Sequence, residues 1–368
     1  MKRLAYVMVL AISPAPAAAR RVAVAVPARD EAERLPACLA ALDRAAAAWR
    51  GPVTIVVLAN QCRDASIAVL AATRLRHATL VWRAVSLLPG YAHAGWARRL
   101  AFDAAADLLA ADHDLLLSTD ADTLVAPDWL VRNAACLARA DAVAGRAVTI
   151  RAERAATGAA GHRRLDLLGR YYTALDYLRA ARDPGTEPWP RHHYEGGASI
   201  ALTRGLYRRI GGAPTPALAE DRALFDRVRA MGGRVVHPVD VRVATSCRLD
   251  GRAPGGMADT VAGWVAQDEA APLHDTYHLP IALDPDRAAA TDRLSFATLP
   301  AALAEAQRLI RLHRSGAPPQ VEPIAFVPVV PPLDHRPTEQ IAQLGDGIVA
   351  GLGIVGVPGP MDQQQVPA

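Results

Sequence analysis

The first third of the chain alternates between short apolar runs and segments with helical spacing. Four runs rich in valine, leucine and alanine cover residues 22–26, 53–59, 79–85 and 114–119. A short apolar run bounded by turn residues is typical of a strand that is buried on both faces. Because such runs alternate with helical segments, the pattern predicts an α/β fold with a mostly parallel central sheet and helices on both faces.

The segments between the runs predict the connecting helices. Leucines at helical spacing begin at Leu35, and Pro36 suits the first turn of a helix. Before the fourth run, Trp96, Leu100 and Leu108 are expected to form the buried stripe of another helix. Ligands of such sheets bind at the carboxyl ends of the strands, so the loops that follow the runs are the first place to look for a site.

A further amphipathic helix is predicted late in the chain, over residues 297–314. Leu299, Leu303, Ala306 and Ile310 share one face of this helix, and Arg308 lies on the opposite side. We expect the helix to pack on the rest of the protein. Pairing of two subunits, or a peripheral contact of its arginines with a membrane surface, are the alternatives.

Composition excludes several classes of protein. The 368 residues include 41 basic and 37 acidic side chains, and a net charge of +4 is too small for a dedicated nucleic-acid-binding protein. Lys2 is the only lysine, which excludes P-loop NTPases, protein kinases and pyridoxal-phosphate enzymes because each needs a lysine. The four cysteines are too far apart to predict a zinc knuckle or a disulfide framework.

The fourth apolar run ends in the sequence STDADTL, which contains Asp120 and Asp122. Two carboxylates at the end of a buried strand are costly to hold together unless a positive charge lies between them. A divalent cation that bridges a diphosphate supplies that charge, since such cations bind carboxylate and phosphate oxygens. The alternative is a solvated acidic turn before the next helix.

Five segments together resemble the successive motifs of family 2 glycosyltransferases. In order they are VAVAVPARDEAERLPACLAAL, VVLANQCRDAS, LLLSTDADTLVAPDWL, GGASIALTRGLYRRIGG and EDRALFDRVRAMGGRVVHP. The resemblance extends from about residue 21 to residue 259. It implies a GT-A fold and an inverting transfer of a hexosyl group from a nucleotide sugar to a hydroxyl acceptor.

The resemblance also implies the donor site. Asp122 is expected to bind the metal, Mn²⁺ or Mg²⁺, and Asp120 to lie toward the ribose. The other residues expected to bind the donor are Pro27, Arg29, Glu31, Asn60, Arg98, Arg248 and Arg252. Many relatives have an aspartate-rich turn where this chain has Asn60, whose amide can both donate and accept a hydrogen bond. A uridine diphosphate sugar is the expected donor, and guanosine and thymidine sugars stay open.

On the acceptor side, the resemblance makes Asp221 the general base and Glu220 the residue that orients the acceptor or tunes its neighbour. Without the resemblance, both would be interpreted as carboxylates that stabilise a helix N-terminus. His237 is either a third metal ligand or a structural residue. The residues expected to bind a glycan, lipid or small-molecule acceptor are Gly196, Gly197, Trp189 and His193.

Four segments are expected along the chain. They are an N-terminal extension that is signal-like or mis-started (1–20), the GT-A domain (21–270), a helical extension (271–316) and a Pro- and Gly-rich tail (317–368). The expected location is the cytoplasm, with the inner face of the membrane as an alternative. The alternative function is a catalytically silent protein of the same fold that binds a nucleotide sugar or a glycan.

Overall fold

The computed structural model describes residues 20–183, 187, 189–279, 281–283 and 292–316. The predictions for the N-terminal extension and for the tail fall on residues 1–19 and 317–368, which lie outside the described residues. Within the described ranges, no helix is both long enough and apolar enough to cross a membrane.

Strands and helices alternate regularly in the first third of the chain. The strands of the described residues are β1 (Val22–Ala28), β2 (Val53–Asn60), β3 (Thr79–Val85), β4 (Leu115–Ser118), β5 (Thr123–Val125), β6 (Ala142–Ala144), β7 (Arg146–Thr149), β8 (Ile200–Thr203), β9 (Val235–Val236) and β10 (Arg242–Thr245). The α-helices are α1 (Leu35–Ala47), α2 (Ser66–Ala72), α3 (Ala94–Ala106), α4 (Trp129–Leu137), α5 (Arg151–Arg154), α6 (Gly158–Arg182), α7 (Arg204–Arg209), α8 (Glu220–Ala230), α9 (Met257–Ala266) and α10 (Leu299–Arg314).

The central sheet has the strand order β3-β2-β1-β4-β8-β6-β9, and β5, β10 and β7 form a second, smaller sheet. In the central sheet only β8 runs antiparallel to its neighbours, β4 and β6, and the other pairs are parallel. The predicted mostly parallel sheet is therefore confirmed. The chain moves outward from β1 to β3 and then returns to β4 on the other side of β1. Such a reversal opens a ligand crevice at the carboxyl ends of the two central strands.

β1 is longer than the apolar run that predicted it. The strand continues through Pro27 to Ala28, which pair with Leu58 and Ala59 of β2. The pairing of β1 with β4 has already ended, at Ala25. Proline fits a strand where one side has no partner, because it has no N–H to donate. The proline therefore lies at the mouth of the crevice instead of ending the strand before it.

Helices cover both faces of the central sheet, as predicted. Along β1, Val22, Val24 and Val26 contribute to a core that also contains residues of α1, α2 and α4. Ala23 and Ala25 contribute to the other core, with residues of α3, α7 and α8. The division follows from the geometry of a strand, in which successive side chains point to opposite faces.

The predicted stripe of α3 is wrong. Its buried residues are Gly95, Ala97, Arg98, Ala101, Phe102, Ala105 and Ala106. Trp96 and Leu100 are only partly buried, and Leu108 lies beyond the end of the helix with 42% of its surface exposed. Because β1 presents the small residues Ala23 and Ala25 to this helix, alanines and one phenylalanine fill the narrow space that a row of large side chains would overfill.

α10 packs against α6 and confirms the predicted apolar face. Leu299, Leu303 and Ala306 are buried as expected, Leu309 is buried beside them and Ile310 is partly buried. Their partners include apolar residues of α6, so this face is covered within the chain. Arg308 lies on the exposed side and pairs with Glu305.

We expect Leu303→Ala to lower the free energy of unfolding by about 2–5 kcal/mol, because it removes buried methyl groups and leaves a cavity between α6 and α10. Urea unfolding followed by circular dichroism measures this loss. The matched control is Arg308→Ala on the exposed side of the same helix, which should change stability by no more than about 0.5 kcal/mol. Equal, small effects of both substitutions would contradict the packing of α10 on α6.

Candidate active site

The loops that follow β1 and β2 are tied together at the carboxyl edge of the sheet. The Asp30 carboxylate accepts hydrogen bonds from the backbone N–H groups of Arg63 (2.6 Å) and Asp64 (3.3 Å). Asp64 in turn accepts from the N–H of Ala32 at 2.9 Å. Asp30, Cys62 and Asp64 lie close enough to hold a metal ion, and both backbone N–H groups that bind Asp30 donate to Oδ1. Burial raises the pKa of the Cys62 thiol. This cluster joins the two loops, and its geometry is also compatible with a bound metal ion.

Asn60 ends β2 with its side chain buried at the crevice edge. Only 3% of the residue is exposed, and its Oδ1 atom has no hydrogen-bond partner in the described part of the chain. A buried acceptor without a partner costs about 1–3 kcal/mol, so a ligand N–H is the natural partner for it. The next residue, Gln61, is held in the left-handed region with a φ of 51°. That conformation is uncommon outside glycine.

Three carboxylates and one arginine meet between β1, β4 and the loop after β10. Glu31 is 6% exposed. Its carboxylate accepts hydrogen bonds from both Nη atoms of Arg248, and the distance from Nη1 to Oε2 is 2.8 Å. Arg248 Nη2 also lies 3.4 Å from Oδ2 of Asp122. Burial and the charge of Asp120 raise the pKa of Asp122 to about 7, although Arg248 opposes the rise. A crowded set of carboxylate oxygens of this kind fits a divalent cation.

Arg98 lies at the centre of the site, on α3, and is almost completely buried. Its Nε donates to Glu220 (3.0 Å), and its Nη2 donates to Asp120 (2.7 Å). Its Nη1 donates to Ser118 Oγ (3.1 Å) and to the carbonyl oxygen of Gly197 (3.2 Å). Burial alone would lower the pKa of Arg98, but Asp120 and Glu220 raise it above its usual value. The guanidinium therefore remains charged and is held by residues of the protein itself.

Glu220 and Asp221 occupy the first turn of α8, where the helix dipole favours negative charge. Glu220 is 7% exposed and faces Arg98. The Asp221 carboxylate accepts from the N–H groups of Gly197 (2.7 Å) and Arg222 (2.8 Å). Burial, followed by the charge of Glu220, raises the pKa of Asp221, and Arg98 acts in the opposite direction. Asp221 is therefore a fixed carboxylate with an increased affinity for a proton.

A family model described as "glycosyltransferase like family 2" matches residues 19–253, which is well over half of the chain. The chain belongs to this family. It is therefore a nucleotide-sugar-dependent glycosyltransferase with the GT-A fold that its motifs imply.

The chain also matches several solved structures at low sequence identity. A mannosyltransferase from Pyrobaculum calidifontis in complex with GDP-mannose and Mn²⁺ is 21% identical, with 83% of each chain covered and a TM-score of 0.43. Glucosyl-3-phosphoglycerate synthase from Mycobacterium tuberculosis, with Mg²⁺ and UDP, is 18% identical over 71% of this chain and 84% of that one, with a TM-score of 0.39. S. aureus TarS with UDP-GlcNAc is 13% identical over 78% and 71% of the two chains, with a TM-score of 0.43. No curated protein sequence matches the chain.

Several predicted donor residues of the glycosyltransferase lie together. Arg252 donates to the backbone oxygen of Asp30 at 3.2 Å and pairs with Asp250 at 2.9 Å, so it lies at the rim of the β1 loop. Pro27 lies within β1. Arg29 is half-buried, and within the described ranges its side chain has no hydrogen-bond or ion-pair partner. The structure thus groups Glu31, Asp120, Asp122 and Arg248 with one another, and places Arg252 at the edge of the group.

The predicted acceptor residues divide into two groups. Gly197 adjoins Arg98 and Asp221, and a methyl group there would overlap the Arg98 guanidinium. A methyl group on Gly196 would overlap the ring of Tyr194. By contrast, Trp189 packs edge-on against Tyr177 of α6, with the ring centroids 5.1 Å apart, and His193 pairs with Asp176 of the same helix. The two glycines therefore make room for protein side chains, and the other two residues face α6.

His237 is held between two glutamates. Its Nδ1 lies 3.2 Å from Glu187 and its Nε2 lies 2.8 Å from Glu195, which raise the pKa of His237 against the effect of burial. Neighbouring His192 is 5% exposed, and burial, followed by the charge of His237, lowers the pKa of His192 to about 4. Both ring nitrogens of His237 are therefore engaged, so the structural interpretation of this residue is favoured over metal binding.

Sequence reasoning missed the hydroxyl of Ser118. It accepts a hydrogen bond from Arg98 and is completely buried at the end of β4. The available signal was a polar residue directly after three leucines in a run that is otherwise apolar. Buried hydroxyl groups need a partner, which makes such a serine a candidate for contact with the site.

We expect Asp122→Asn to raise the melting temperature at pH 8 and to leave it nearly unchanged at pH 4. The folded protein keeps Asp122 protonated up to a pKa of about 7, whereas the unfolded chain releases that proton near its ordinary pKa of about 4. Stability is therefore lost as the pH rises between these two values, and an amide avoids that loss. Differential scanning calorimetry at both pH values measures it.

The matched control for this experiment is Asp166→Asn, because Asp166 is a half-exposed carboxylate of α6. We expect that variant to melt close to the wild type at both pH values. A gain for Asp122→Asn that is the same at pH 4 and pH 8 would contradict the raised pKa of Asp122.

Proposed function

We propose that the protein is an inverting, metal-dependent hexosyltransferase in which Asp122 holds the metal and Asp221 is the general base. The observation that supports this proposal is the arrangement around one guanidinium. Arg98 binds Asp120 of the donor side, and it also binds the carbonyl oxygen of Gly197, whose N–H binds Asp221. Donor carboxylates and candidate base therefore belong to one connected group and are not two separate acidic clusters.

In the proposed reaction, Asp221 takes the proton of the acceptor hydroxyl as that oxygen attacks the anomeric carbon. A new carbon–oxygen bond forms on one face of the sugar while the bond to the nucleoside diphosphate breaks on the other, so the configuration inverts. The N–H groups of Gly197 and Arg222 fix the direction of the Asp221 carboxylate. Its raised pKa makes it a better proton acceptor than an ordinary aspartate.

The donor is proposed to lie along the carboxyl ends of β1, β2 and β4. Asn60 would accept a hydrogen bond from the base through its unpaired Oδ1, and Asp120 would bind the ribose. Mn²⁺ or Mg²⁺ would neutralise charge on the diphosphate when bound. Arg248 and Arg252, on the loop after β10, would add positive charge as the leaving group departs. A uridine diphosphate sugar is the proposed donor.

The acceptor is proposed to enter between the start of α8 and the loop before β8. Tyr194 is 41% exposed and packs over Gly196, so it offers an aromatic surface beside Asp221 on which a sugar or an apolar acceptor group could stack. Glycans, lipid-linked acceptors and small hydroxyl compounds are all compatible with this surface. Because nucleotide sugars are cytoplasmic substrates, we propose the cytoplasm or the inner face of the membrane as the location.

The test is nucleoside diphosphate release from a panel of uridine, guanosine and thymidine sugars, with Mn²⁺ and with chelator. We expect one donor to be turned over only with metal. Asp122→Ala and Asp221→Asn should each lower kcat by a factor of about 10²–10⁴, because each removes a group that acts in the transition state. Asp166→Asn, a carboxylate of α6 outside the site, serves as the control and should retain full activity.

Binding of a donor by calorimetry without release, under every condition including a panel of hydroxyl acceptors, would favour the catalytically silent protein instead. Release that does not depend on metal or on Asp122 would contradict the metal assignment. Nuclear magnetic resonance of the product would show inversion or retention at the anomeric carbon and so test the stereochemistry directly.

A further inference from the structure

Nearly all N–H groups of the Arg98 guanidinium donate hydrogen bonds to acceptors of the protein itself. A guanidinium has five N–H groups, and the structure gives this one four acceptors, on Ser118, Asp120, Gly197 and Glu220. The side chain is 7% exposed. A residue that binds a substrate diphosphate directly would need free donors that point into the crevice. Arg98 has at most one, so its direct contacts are with the carboxylates of the site.

Gly197 connects this guanidinium to the candidate base. The carbonyl oxygen of Gly197 accepts from Arg98, and the N–H of the same residue donates to Asp221. A side chain at this position would displace the guanidinium, since a methyl group there overlaps Arg98. Arg98 and Asp221 are therefore linked through a single residue, because one peptide group of Gly197 accepts from Arg98 and the other donates to Asp221.

We propose that Arg98 is a positioning residue that joins the donor carboxylate Asp120 to the candidate base Asp221 through Glu220 and Gly197. The inference rests on the proposed function, in which Asp221 accepts the proton. Arg98 then has a role other than donor binding. Through Gly197 it orients the Asp221 carboxylate, and its positive charge and the negative charge of Glu220 together set how strongly Asp221 binds a proton.

Two charges act on Asp221 in opposite directions. Glu220 is its neighbour in α8 and disfavours the ionised form, while Arg98 favours it. The other charged or titratable groups around Asp221 are Asp120, Arg222 and Tyr194. Since Arg98 and Glu220 also pair with each other, removal of either one alone leaves the other uncompensated next to Asp221. The two single substitutions should therefore shift the titration of Asp221 in opposite directions.

The experiment measures the titration of Asp221 by carboxyl-carbon nuclear magnetic resonance of the full chain, with the signal assigned by its loss in Asp221→Asn. We expect Glu220→Gln to lower the pKa of Asp221 and Arg98→Met to raise it, each by about one pH unit. The acid limb of the pH profile of kcat should move with the same signs. Arg99→Met is the matched control, since Arg99 is the next residue of α3 and pairs with Asp103 away from Asp221. It should leave the titration unchanged.

Arg98→Met leaves the buried Glu220 without its partner, and the variant could fail to fold for that reason. Two further variants test the inference in that case. The double variant Arg98→Met/Glu220→Gln removes both charges and should bring the pKa of Asp221 back toward the wild-type value. Arg98→Lys keeps the charge but cannot make four fixed hydrogen bonds. It should therefore lower kcat at least tenfold while the donor KM changes less than threefold.

Unchanged titration of Asp221 in Glu220→Gln and in the Arg98 variants would overturn the inference, as would an Arg98→Lys variant that raises only the donor KM. These results differ from a failure of the proposed function. If the wild type released no nucleoside diphosphate from any donor, the function would fail, yet the resonance titration would still show whether Arg98 and Glu220 control Asp221.

Discussion

The site depends on the burial of several carboxylates beside very few cations. Glu31 and Glu220 are almost inaccessible, and Arg98 and Arg248 supply the positive charge that meets them. A buried charge without a partner costs several kcal/mol, so these pairs decide which segments can approach one another. Glu31 follows β1 and Arg248 follows β10, 217 residues later, while Glu220 opens α8. The ion pairs therefore hold three distant parts of the chain together at the carboxyl ends of β1 and β4. These segments line the crevice.

Local patterns predicted what local forces determine. The runs that form β1 to β4, the start of α8 at Glu220 and the apolar face of α10 all follow from the spacing of residues within one element. The stripe of α3 did not, because its buried face is chosen by the alanines of β1 and not by its own large side chains. The position of Asp120 and Asp122 at a strand end was also predictable. Their partners were not, since Arg98 lies 22 residues before Asp120, Arg248 lies in the loop after β10, and no periodicity relates these positions.

Several features that disfavour folding lie at the carboxyl edge of the central sheet. Asp30, Gln61 and Ala219 adopt left-handed backbone conformations with φ of 52°, 51° and 56°, and each lies in a loop that borders the crevice. Asn60 holds an unpaired oxygen nearby, and Asp122 is kept in an environment that disfavours its charge. Strain and incomplete pairing of this kind persist where the surrounding structure imposes them, and they concentrate at functional sites. The central sheet, by contrast, shows regular pairing along β1, β2 and β3. The rigid part of the fold thus holds a less stable edge in place.

The choice of arginine at position 98 follows from geometry as well as from charge. Nearly all basic residues of the chain are arginines, so the residue type alone is uninformative. The hydrogen bonds of Arg98 are more informative. Its three nitrogen atoms Nε, Nη1 and Nη2 donate to Glu220, Ser118 and Asp120 respectively, so the acceptors lie around the planar guanidinium. A lysine offers three donors from a single nitrogen and could not reach all of these positions at once. A planar cation is therefore required wherever one residue must hold a strand end, a helix start and the backbone of Gly197 in fixed relation. The same contact requires glycine at position 197, because a side chain there would overlap the guanidinium.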